Sequence, residues 1–129
     1  MSAALATSCR AGVLSVGYEG RSIGEFVTDL VDQGVTRLVD VRMTPISRKR
    51  GFSKSALSQA LAAHGISYEH RRELGNPKDN RPGFAGTPKE LASARAVYAS
   101  LLYRAEARAA LDALAEAAQT ELIALLCFE

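Results

Sequence analysis

The chain has 129 residues, enough for one domain with a core that needs no disulfide or metal staple, since a chain of this size buries about two-thirds of its unfolded surface. Its 47% hydrophobic and 23% charged content is that of an ordinary globular protein, and a net charge of +2 excludes binding to polyanions by bulk charge, so any basic site must be local. Two isolated cysteines, Cys9 and Cys127, make no disulfide framework and read as reduced thiols. The opening "MSAALATSCRAG" lacks the basic start of a signal peptide. No apolar run approaches the ~18 residues of a membrane span. The expectation is a cytoplasmic protein with a flexible tail over residues 1–12 and a single α/β domain over 13–129.

In chain order, "GVLSVG" at 12–17 is a short apolar, β-branched run and predicts a strand. "RSIGEFVTDLVDQG" predicts a helix. Ser22 and Glu25 form a capping box, Ile23, Phe26, Val27, Leu30 and Val31 make its apolar face, and Gly34 ends it. "VTRLVDV" at 35–41 is the second strand, followed by a basic loop over 43–54. "SKSALSQALAAHG" predicts a second helix with Ala56, Leu57, Ala60 and Leu61 inward, and "ISYEH" at 66–70 a third strand. A long loop then runs from Arg71 to Thr87, of the kind that tends to be functional or mobile. Thr87, Pro88 and Glu90 mark a strong helix start, and the alanine-rich segment 88–119 supplies one bent or two consecutive helices. "ELIALLCF" at 121–128 reads as a buried strand.

The order βαβαβ–αα–β implies an α/β fold of three layers, a mostly parallel open sheet with helices on both faces. In such sheets ligands bind outside the carboxyl ends of the strands. That rule collects Gly17, Tyr18 and Glu19 after the first strand, Asp40 and Arg42 after the second, Tyr68, Glu69, His70 and Arg71 after the third, and Cys127 and Glu129 after the last.

Asp40 and Arg42 are two apart and share a face of an extended strand. One reading is an acid beside an arginine whose fork holds phosphate or carboxylate; the other is a structural ion pair. Arg48, Lys49, Arg50 and Lys54 follow with no acid between Val41 and Lys54, which suits an anionic ligand or nucleic acid, or else a solvated basic loop. Glu19, Asp40, Glu69 and Glu129 are the carboxylates from which an acid/base pair could come, with Glu19, Asp40 and Glu129 the catalytic candidates. Gly17, Tyr18, Arg42, Ser47, Arg48, Phe52, Tyr68 and Cys127 are the candidate ligand-binding residues. His64 and His70 match no metal pattern with the cysteines, and the glycines of "VGYEGRS" fall short of the dinucleotide fingerprint, although amides at that helix start suit a phosphate. No metal or cofactor is expected.

"SVGYEGRSIGEF", "LVDVRMTPISRKRGFSK", "ISYEHRRELGNPK" and "ALLCFE" together resemble the family called domain of unknown function 488 (DUF488). The resemblance implies a compact three-layer α/β domain with a shared site at Gly17, Tyr18, Glu19, Asp40, Arg42, Pro45, Ser47, Phe52, Tyr68, Leu74, Gly75, Cys127 and Glu129. It implies no particular activity. It also implies a Cys-His-Arg element after the Cys-x-Glu segment, and this chain stops at Glu129. Loss of that element would remove a base or thiol and leave apolar surface that favours a homo-oligomer, such as a homodimer.

Two functions compete on these residues. One is an enzyme acting on a nucleotide or nucleic acid, with Arg42 and the basic loop on phosphate, Glu19 or Asp40 as base, and Tyr18 and Tyr68 stacking on a base or donating a hydrogen bond. The other is a non-catalytic module for an anionic ligand or a protein.

Overall fold

The computed structural model describes residues 11–126. Its elements are β1 (Gly12–Val16), α1 (Ile23–Gln33), β2 (Arg37–Asp40), α2 (Lys54–Ala62), β3 (Ser67–His70), α3 (Pro88–Leu102), α4 (Ala105–Ala117) and β4 (Leu122–Leu126). This is the βαβαβ–αα–β order expected, with 88–119 resolved into two helices. The loop between β3 and α3 is built from three short 3-10 turns at Arg72–Leu74, Lys78–Asn80 and Pro82–Ala85.

The four strands form one sheet in the order β1-β4-β2-β3, and every pairing is parallel. β1, β2 and β3 step one way across the sheet, and β4 returns between β1 and β2. Right-handed crossovers therefore place the helix before β4 on the opposite face from α1 and α2. The core divides accordingly. On one face Phe26, Val27 and Leu30 of α1 and Leu57 and Leu61 of α2 cover Leu38, Leu122, Ala124 and Leu126. On the other, Ala107, Ala110 and Leu114 of α4 cover Val39 and Ile123. β4 is central and buried along most of its length, as its unbroken apolar run requires.

Helix α1 has the capping box of Ser22 and Glu25 and ends at Gly34 in the left-handed region, φ 84°. Two inward assignments are corrected. Val31 is 44% exposed and Ala56 is exposed, because each lies at the edge of its helix's apolar stripe, beyond the reach of the sheet. Helix α3 buries Ala94 alone and packs on the preceding loop, where Asn80 Nδ2 donates to the Ala94 carbonyl at 2.9 Å and Tyr98 Oη to the Leu74 carbonyl at 2.5 Å.

Candidate functional site at the carboxyl edge of the sheet

Parallel register lines up one rung of strand ends. Leu126 pairs with both Val16 and Asp40, and Asp40 also pairs with His70. All four strands thus deliver their exits to one edge.

Alternation along β2 sends Leu38 and Asp40 to the α1/α2 face. Tyr68, the partner of Leu38, points to that same face one rung back, and its hydroxyl donates to Asp40 Oδ2 at 2.5 Å. Arg42 closes the other side. Its backbone N–H donates to Asp40 Oδ1 at 3.0 Å, Nε to Oδ1 at 2.9 Å and Nη2 to Oδ2 at 2.7 Å. Asp40 is fully buried and Arg42 is 3% exposed.

Burial alone would raise the Asp40 carboxyl, but the donors of Arg42 and Tyr68 outweigh it and hold the group below its usual range. Burial works against the Arg42 charge, and Asp40 and then Tyr18 restore it. Burial and the Asp40 carboxylate together push the Tyr68 hydroxyl well up. Asp40 is therefore a locked anion rather than a poised base. The arginine fork is spent on it, and only Nη1, buried, has no hydrogen-bond partner among the described residues.

The aromatics are arranged for packing. Phe52 is fully buried and stacks on Tyr18 with ring centres 4.4 Å apart and planes 16° from parallel. It also meets Phe26 edge to face at 5.3 Å. The guanidinium of Arg42 lies 5.7 Å from the Tyr18 ring centre, and Tyr18 is 8% exposed. Phe52, expected as a ligand contact, is here the loop's anchor in the core. Tyr18, stacked on Phe52 and 8% exposed, offers little ring surface on which to stack a base.

Above these rings an open cleft of about 670 Å³ is lined by Tyr18, Glu19, Gly20, Ile46, Ser47, Arg48 and Lys49. Glu19, Ile46 and Arg48 are exposed, and Lys49 is half-buried with its ammonium 5.9 Å from the Phe52 ring centre. The basic loop is clipped by serines. Ser47 N–H donates to Ser53 Oγ at 3.0 Å, Ser53 Oγ donates to the Ser47 carbonyl at 3.3 Å, and Lys49 N–H donates to Ser47 Oγ at 3.1 Å. At Gly51, φ is 91° and an added Cβ would lie 2.7 Å from Ile23 Cβ, so the loop approaches α1 as only glycine allows.

The remaining candidates scatter. Gly17 is half-buried just after β1, and Arg50 and Lys54 are exposed outside the cleft lining. Cys9, Cys127 and Glu129 lie outside the described residues. At the start of α1, Ser22 N–H and Glu25 N–H are already used by the capping box, and Ser22 holds the Glu25 carboxyl low, so a carboxylate already occupies the place suggested for a phosphate. Glu69 points to the opposite face and binds Arg37 at 3.0 Å and Arg71 at 2.5 Å. Arg37 reaches on to Glu121 at 2.8 Å. Sequence reasoning missed the links through Arg37 because Arg37, Glu69 and Glu121 lie far apart in sequence and meet only through the strand register.

These features define a parallel α/β domain with a buried carboxylate–guanidinium–phenol cluster under an open basic cleft. The family is settled by comparison: the model described as "Domain of unknown function DUF488" matches residues 22–129, so the chain belongs to the DUF488 family. No curated protein and no solved structure matches it. Asp40, Arg42, Ser47, Phe52 and Tyr68 fall within the matched span, whereas Gly17, Tyr18 and Glu19 precede it. Among the described residues no helix is long and apolar enough to cross a membrane.

Proposed function

We propose that the cleft over Tyr18 binds a phosphate-bearing small molecule, a nucleotide or a relative of one. Arg48 and Lys49 meet the phosphate, and Glu19 is the carboxylate placed for general-base work. Asp40 and Tyr68 act one layer below, fixing Arg42 against the Tyr18 ring. The observation that carries this reading is the meeting of Glu19, Arg48 and Lys49 in one open cleft at the carboxyl edge of the sheet, where ligands of open parallel sheets dock. A small molecule is favoured over a nucleic-acid strand because the Tyr18 ring is already stacked on Phe52 and supplies no platform for a base.

A non-catalytic binding module is the second reading, favoured by the four donors that lock Asp40 and leave Glu19 as the one carboxylate lining the cleft among the described residues. Calorimetric titration and thermal shift with a panel of mononucleotides test the binding. Stabilisation is expected in the parent and its loss in the double variant Arg48→Ala/Lys49→Ala. Retention of the shift in that variant would overturn the assignment. Hydrolysis or transfer that disappears in Glu19→Ala while binding persists selects the enzyme; binding with no turnover of any of the nucleotides in the parent selects the module.

A further inference from the structure

The cleft's walls carry opposite charge. Arg48 and Lys49 stand on the loop after β2, and Glu19 stands on the turn after β1, with all three lining the same space. Among the described residues two cations and one carboxylate line the cleft, a set that suits a ligand with one dianionic end. A second phosphate would have to lie against Glu19, and like charges in a confined site repel. What Glu19 does favour is a donor, such as a hydroxyl, since a carboxylate is purely an acceptor. Ile46, 72% exposed, adds an apolar lip that suits the C–H face of a sugar ring. The volume of about 670 Å³ falls among small-molecule sites of about 300–1,000 Å³. The described lining supplies nothing to read a base, because Tyr18 is stacked on Phe52 and only 8% exposed.

From this juxtaposition we infer that the ligand class is a singly phosphorylated sugar or polyol, read by its phosphate at Arg48 and Lys49 and by a hydroxyl at Glu19, with any base left in solvent. The inference rests on the phosphate reading proposed above and narrows it. Isothermal titration at fixed low ionic strength, with ribose 5-phosphate, inorganic phosphate and an oligothymidylate as probes, decides it. Ribose 5-phosphate is expected to bind at least about tenfold more tightly than inorganic phosphate, with Glu19→Ala erasing that preference while phosphate itself still binds. Equal affinity for the two, a preference that survives Glu19→Ala, or tighter binding of the oligothymidylate each overturns the sugar-phosphate inference and leaves the anion site standing. Binding of none of the three removes the phosphate reading itself, and this inference with it. Glu19 is exposed, so its substitution leaves the core untouched, and matched thermal midpoints check that.

Discussion

Asp40 and Arg42 make a buried two-point contact, Nε to Oδ1 at 2.9 Å and Nη2 to Oδ2 at 2.7 Å, at the end of a central strand. Asp40 ends β2 and Arg42 follows two residues later, and together they act as a single neutral unit shielded from water. Removing either half leaves the other charge buried and alone, a loss of about 3–5 kcal/mol. Arg42→Ala is therefore expected to destabilise the fold by about that amount in urea unfolding. The residue that sequence spacing offered as an anion holder is thus a poor probe of the ligand site. A loss below about 1 kcal/mol, the scale of an exposed pair, would mean the pair contributes as a surface bridge does.

The same cluster sets a pH dependence on both sides of neutrality. The Asp40 carboxyl is lowered in the folded state, chiefly because hydrogen bonds from Arg42 and Tyr68 overcome its burial. Its contribution is complete above the unfolded value of 3.8 and is lost as pH falls through the lower folded value. The Tyr68 hydroxyl is raised by burial and by Asp40, so its contribution is complete below the unfolded value of 10.0 and is lost as pH climbs beyond it. Urea midpoints across pH should fall at both extremes. Asp40→Asn is expected to flatten the acid limb and Tyr68→Phe the alkaline limb; an alkaline limb unchanged by Tyr68→Phe would contradict the assignment.

Gly51 ties the basic loop to α1. Alanine there would hold φ near +91° with its Cβ 2.7 Å from Ile23 Cβ. Left-handed strain at a non-glycine residue costs about 1–3 kcal/mol, and the contact adds to it. Gly51→Ala should lower stability by at least about 1 kcal/mol and displace the cleft wall that carries Arg48 and Lys49. Unfolding and ligand titration on one preparation measure both effects, and an unaltered protein would show that the loop can re-form elsewhere.

Local rules carried much of this fold. Ser22, Glu25 and Gly34 mark α1 by chemistry confined to a few neighbours, and the apolar run of β4 announces a strand buried on both faces. The Asp40–Arg42 contact was also legible, being a matter of two-residue spacing. Tyr68 as the third member was not, because it depends on β3 pairing so that Leu38 meets Tyr68, a register no local pattern specifies. Phe52 shows the converse failure. Basic neighbours suggested an aromatic offered to a ligand, whereas the loop uses Phe52 to bury itself under Tyr18. Glu69 reads as a rim acid until strand alternation turns it to the other face, into the pair with Arg37.

Two serines in helix-start positions separate stability from site architecture. Ser22 caps α1 through its side chain, accepting from Glu25 N–H at 3.1 Å, and it lines no part of the cleft. Ser53 occupies the equivalent position of α2 but makes no capping hydrogen bond; its hydroxyl holds the Ser47 backbone instead. Ser22→Ala should cost about 1 kcal/mol, the usual worth of a cap, with ligand affinity unchanged. Ser53→Ala loses about 1 kcal/mol of loop hydrogen bonding, and because Ser47 lines the cleft the loss should appear in binding, as an affinity weakened about fivefold. Equal affinity in the two variants would sever the link between the serine clip and the ligand site, and would leave Ser53 as a residue that merely shapes a surface loop.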